Sequence, residues 1–160
     1  MKRIAIFPGS FDPITIGHES IVRRAVPLFD EIHIMVGDNI SKTSLFPIEK
    51  RVQFIEKVFA NEKTVSTHRH AGLTIDFCKK VNAGFIIRGL RTSADFEYER
   101  AIAQVNKMMM PGIETVFLLT LPEHTAINST LVRDIMKHGG DASMFTPTGI
   151  KREEYNISQD

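Results

Sequence analysis

Pro8-Gly9-Ser10-Phe11-Asp12-Pro13-Ile14-Thr15-Ile16-Gly17-His18 packs glycines, hydroxyls and a histidine into a turn-sized stretch, the residue types that hold phosphate. It follows the apolar run Ile4 to Phe7 and precedes a pattern with Ile21, Val22, Ala25, Leu28 and Phe29 on one helical face. Gly9 and Gly17 are expected to let backbone approach a ligand that a Cβ would hold off. His18, early in the helix, lies where unpaired N–H groups and the helix dipole favour an anion. Further along, Arg88-Gly89-Leu90-Arg91 brings two guanidiniums together, able to offer planar, charge-assisted donors to phosphate oxygens or to pair with Asp95, Glu97 or Glu99 nearby. A third stretch, His124 to Thr130, sets amide and hydroxyl side chains before a helix whose apolar face is Leu131, Val132, Ile135 and Met136, which reads as a cap and equally as a mouth for phosphate.

These residues need a frame that brings them together, and the pattern supplies one. Apolar, β-branched runs are expected as strands at Ile4 to Phe7, Glu31 to Val36, Thr64 to His68, Phe85 to Ile87 and Thr115 to Leu119. Helical patterns alternate with them at Glu19 to Phe29, Ile48 to Ala60, Thr74 to Asn82, Ala94 to Met109 and Ser129 to Lys137. Such alternation predicts an α/β fold, a Rossmann-like parallel five-stranded sheet with helices on both faces, connected right-handedly. Ligands then bind beyond the carboxyl ends of the strands. Each of the three stretches, and a polar loop with Lys42, follows a predicted strand.

At 160 residues, with 42% hydrophobic residues, the chain is expected to form a single domain over 1–160, with a polar tail from about Gly149 that frays or packs as a short helix. The net charge of +1 and dispersed Lys and Arg argue against a nucleic-acid partner. No run is long and apolar enough for a membrane partner, and Met1-Lys2-Arg3 does not introduce a signal peptide, so a cytoplasmic protein is expected. Cys78 reads as a small buried hydrophobe. His33 reads as a core or interface contact, His68 and His70 lack companion ligands for a metal, and Met108-Met109-Met110 reads as core or subunit interface. Neither a dinucleotide fingerprint nor a Walker A loop is present.

The run Gly-x-Phe-Asp-Pro-x-Thr-x-Gly-His over residues 9–18 resembles the first signature of the nucleotidyltransferase superfamily. Arg88-Gly89-Leu90-Arg91 followed by Asp95-Phe96-Glu97-Tyr98-Glu99 resembles, more narrowly, the phosphopantetheine adenylyltransferases of coenzyme A synthesis. The resemblance covers about the first 145 residues, with Ser10 in place of a common threonine and Asn128 where serine is usual. It implies the nucleotidyltransferase fold and transfer of AMP from ATP to 4′-phosphopantetheine. It also implies magnesium entering with the triphosphate, and a homohexamer. Carried over, Ser10, Lys42, Thr74, Arg88 and Glu99 would line the phosphopantetheine and phosphate region. ATP would be held by Ser10, Phe11, His18, Gly89, Leu90, Arg91, Glu99, His124, Thr125, Ala126, Ile127, Asn128, Ser129 and Thr130. The catalytic set would be His18, Lys42, Arg91 and Ser10, acting by position and charge, with no protein nucleophile. A nicotinate mononucleotide adenylyltransferase or a glycerol-phosphate cytidylyltransferase would share the first and last stretches but lack the arginine block. A nucleotide-sensing module would not require both His18 and Lys42.

Overall fold

The computed structural model describes residues 1–38 and 43–155. In chain order the elements are β1 (Ile4–Gly9), α1 (Ile16–Ala25), β2 (Glu31–Gly37), α2 (Ile48–Val58), β3 (Val65–His70), α3 (Thr74–Val81), β4 (Phe85–Leu90), α4 (Ser93–Met109), β5 (Glu114–Leu119) and α5 (Ser129–Lys137). The strands pair in parallel in the order β3-β2-β1-β4-β5. The chain therefore winds outward from β1 to one edge, then returns to the other side of β1 with β4. The strand order reverses between β1 and β4, and a crevice opens at such a switch point.

Alternation along β1 explains the two layers of core. Ala5 and Phe7 face a cluster with Val22, Phe29, Phe54 and Ile55, while Ile6 faces Ile75, Phe77, Cys78 and Ile86 on the other side. Cys78 is fully buried, and burial pushes its thiol up to about 11, so it serves as packing.

Several boundaries differ from the pattern, among them the ends of β1 at Gly9 and of β3 at His70. Thr15 caps α1, which starts at Ile16 rather than Glu19 and gives way to a 3₁₀ turn over Val26–Leu28, where Pro27 removes a helical donor. β4 runs to Leu90, so Arg88 is a strand residue and not, as expected, the first loop residue beyond it. Register with β5, up to Leu90 against Leu119, carries the strand through three residues, Arg88 to Leu90, that periodicity alone reads as loop. The polar tail is anchored: Ile150 and Tyr155 join the core, Tyr155 packing against Phe46 and Phe54 from a 3₁₀ turn over Arg152–Tyr155.

Candidate active site

The turn between β1 and α1 is built around Thr15. Its Oγ1 accepts from the His18 N–H at 3.4 Å while His18 Nδ1 accepts from the Thr15 N–H at 3.1 Å, a reciprocal cap with histidine in the place usually taken by Glu or Gln. An acceptor at Nδ1 leaves the ring proton on Nε2, the nitrogen that faces outward from the cap. The ring is held edge-on by Phe11 at 5.1 Å and Phe7 at 6.3 Å. Burial, reinforced by the charges of Arg91 and Arg88, lowers its pKa to about 4, so His18 is a neutral donor at physiological pH.

Gly9, which borders two adjoining cavities at this turn, also has a packing reason. A Cβ there would lie 2.9 Å from the Phe11 ring, so its missing side chain makes room for Phe11. Phe11 has φ +48°, a left-handed conformation unusual for a bulky residue, and is 3% exposed.

At the switch point a cleft of about 240 Å³ is lined by Phe11, His18, Arg88, Gly89, Arg91, Glu99, Ile127, Asn128 and Ser129, all expected from the sequence. Beside it lies a second cavity of about 310 Å³, where Thr74 meets Met35, Ile86, Ile102 and Asn106. Pro8, Gly9, Arg88 and Glu99 border both. Arg88 donates through Nε and Nη2 to the two Glu99 oxygens at 2.8 and 2.5 Å, and through Nη1 to the Pro8 carbonyl at 2.8 Å. A bidentate pair between half-buried Arg88 and buried Glu99 thus forms the wall between a more polar and a more apolar chamber.

Arg91 pairs with Asp95, Nε to Oδ2 at 3.1 Å and Nη2 to Oδ1 at 3.4 Å. Asn128 is the N-cap of α5, its Oδ1 accepting from the Leu131 N–H at 3.0 Å. Ser129 Oγ donates to the Pro13 carbonyl at 2.8 Å, stitching the third stretch to the first turn.

Several expected residues stand outside the cleft lining. Ser10 is exposed beyond the end of β1, and Leu90 is buried in the sheet. His124, Thr125, Ala126 and Thr130 do not line it either: Thr125 Oγ1 donates to the Leu121 carbonyl, and Thr130 Oγ1 accepts from Arg133. His124 nonetheless packs beside Gly17, its buried Nδ1 unpaired among the described residues. Lys42 lies outside the described residues.

Sequence reasoning missed Asp95 and Thr15 as cleft residues and Met35, Ile102, Ala103 and Asn106 as walls of the second cavity. A signal was present for the latter: Glu99, Ile102, Ala103 and Asn106 recur at helical spacing along one stripe of α4.

The parallel sheet, the helix-capped turn and the paired arginines at the switch point define a nucleotidyltransferase, and a cytidylyltransferase-like family model matches residues 6–135. With relatives named phosphopantetheine adenylyltransferase the chain is 52% identical in Flavobacterium johnsoniae and 48% in Bacteroides fragilis, over 93% of this chain and 97% and 99% of theirs. It belongs to the phosphopantetheine adenylyltransferase family. The fold alone is shared with a bifunctional NMN adenylyltransferase/ADP ribose pyrophosphatase from Francisella tularensis, at TM-score 0.70 and 18% identity over 94% of this chain and 46% of that one.

Proposed function

We propose that this enzyme transfers the adenylyl group of ATP to 4′-phosphopantetheine, giving dephospho-coenzyme A and pyrophosphate. The observation that carries the reading is the pair of adjoining cavities divided by Arg88 and Glu99, in a chain of this family. ATP is assigned to the chamber with His18, Arg91 and the mouth of α5. The apolar walls of the other, Met35, Ile86 and Ile102, suit the uncharged arm of the acceptor, with Thr74 and Asn106 as polar contacts.

In this reading an oxygen of the acceptor phosphate attacks the α-phosphorus in line, and the bond from the α-phosphorus to the bridging oxygen of the β-phosphate breaks, releasing pyrophosphate. No proton needs to move through the protein, so rate depends on position and charge. Neutral His18 donates Nε2–H to a non-bridging α-phosphate oxygen as charge grows there. Arg91 Nη1, without a partner among the described residues, is assigned to the leaving phosphates. Ser10 and Lys42 are assigned to the acceptor phosphate by family resemblance.

Magnesium is read as part of the substrate, MgATP. The cleft carboxylates, Asp95 and Glu99, already face arginines, which fits a metal held by phosphate and water oxygens. No described helix is long and apolar enough to cross a membrane, and a reaction on ATP and a phosphorylated intermediate supports a cytoplasmic setting. Self-association is proposed through α4: of its 17 residues only Glu99 is buried, while Tyr98, Val105 and Met108 are 69%, 54% and 82% exposed. A homohexamer is the assembly the family resemblance implies.

Product analysis with MgATP and 4′-phosphopantetheine tests the reaction, with dephospho-coenzyme A and pyrophosphate in equal amounts as the expected result. Turnover of nicotinate mononucleotide or glycerol 3-phosphate, with none of phosphopantetheine, would overturn it.

A further inference from the structure

Arg51, in the first turns of α2, is 4% exposed, and among the described residues no carboxylate pairs with it. Its partners are carbonyls from three separate segments. Nη1 donates to Ser10 at 2.7 Å and Gly37 at 3.3 Å, and Nε donates to Phe46 at 3.1 Å. A guanidinium withdrawn from water is costly unless its donors are used, and here Nη1 and Nε are used on backbone at the ends of β1 and β2 and the approach to α2. The Asp12 carboxylate works from the other side, accepting from the Leu45 and Phe46 N–H groups at 2.8 and 2.9 Å.

The Ser10 carbonyl belongs to the peptide that leads into Phe11, and Phe11 holds φ +48°. Such a backbone persists where its surroundings over-determine it. Two contacts do so: the Arg51 bond on the preceding carbonyl, and the burial of the Phe11 ring over Gly9. That ring packs edge-on against His18 at 5.1 Å, closer than Phe7 at 6.3 Å. Building on the adenylyl-transfer reading above, we propose that Arg51 is a positioning residue: by holding the Ser10–Phe11 peptide it fixes the ring that orients His18, and with it the base of the acceptor-phosphate site at Ser10.

Arg51→Lys and Arg51→Gln test this. Lysine keeps the charge but has no planar fork to span three carbonyls, so it should not rescue. Both variants are expected to lose at least about tenfold in kcat while the calorimetric Kd for MgATP stays within about threefold, the pattern of lost alignment. In either variant the less constrained ring should turn off the Thr15 N–H, and the ¹⁵N signals of the His18 ring should then show a reduced Nε2–H tautomer fraction. Wild-type kcat in Arg51→Lys, or unchanged His18 signals with ATP binding and kcat/KM falling together, would overturn the proposal. Should Arg51→Gln fail to fold, Phe11→Leu keeps the Arg51 bonds and removes the ring. It should reproduce the kcat loss, and full activity in it would break the route to His18. Failure of the wild-type enzyme to use phosphopantetheine would refute the adenylyl-transfer reading instead, while the His18 signals would still report on Arg51.

Discussion

His18 is the residue on which most of the chemistry turns, and its state follows from its cap. Accepting from the Thr15 N–H at Nδ1 fixes the tautomer, and burial beside two arginines keeps the ring uncharged. His18→Ala should lower kcat by roughly 10²-fold or more, the scale for one preorganised donor, with a smaller effect on ATP affinity, as steady-state kinetics and calorimetry will show. Because its pKa is lowered from 6.5 to about 4, the folded state resists a proton that the unfolded chain takes up. His18 therefore favours folding fully above 6.5, and that contribution falls as pH drops from 6.5 towards 4. The ¹⁵N spectrum should accordingly show a neutral His18 ring at pH 5.5, and a charged ring there would contradict the burial argument. At Asn128 the amide oxygen is already committed to capping α5. Asn128→Ala should cost about 1 kcal/mol of unfolding free energy, while Asn128→Ser, which preserves the cap, should stay within about tenfold of wild-type turnover.

Among the elements, β1 and its turn are the least tolerant of change. Gly9→Ala would press a methyl group into the Phe11 ring and should cost about 1–3 kcal/mol in urea unfolding, with a loss of kcat as that ring shifts. The pairing of β2 with β3 carries a pH-dependent contact. His33 Nδ1 lies 3.0 Å from His68 Nε2, and Ser66 Oγ lies 2.9 Å from each. Burial, then the charges of His33 and Lys80, hold His68 below the usual 6.5, so the neutral form is the folded one. Its contribution is complete above 6.5 and declines below it, and His68→Gln should unfold with a shallower pH dependence between pH 7.5 and 5. The strands and helices themselves were legible, because their apolar periodicity reports burial directly. The extension of β4 through Arg88 to Leu90 was not, since it depends on the register with β5 rather than on local pattern.

For the whole molecule, the exposed apolar stripe of α4 and the anchored tail make separate demands. If copies associate through α4, Val105→Asp with Met108→Asp should yield smaller species by light scattering, and an unchanged mass would remove that face from the interface. Deleting the tail from Ile150 onward removes Tyr155 from Phe46 and Phe54 and should cost several kcal/mol, about the scale of emptying one large aromatic site. By itself the sequence determined the α/β order, the three stretches with phosphate chemistry and the family they resemble. Each of these is a local property of residue type and spacing along the chain. Tertiary structure alone decided that Arg88 and Glu99 form a wall between two chambers, that Gly9 yields space to Phe11, and that Arg51 and Ser129 tie distant segments to the first turn. Ser129 and Pro13 are 116 positions apart and Arg51 and Ser10 are 41 apart, and partners at such range are chosen by how helices and strands assemble around the end of β1, which no local pattern encodes.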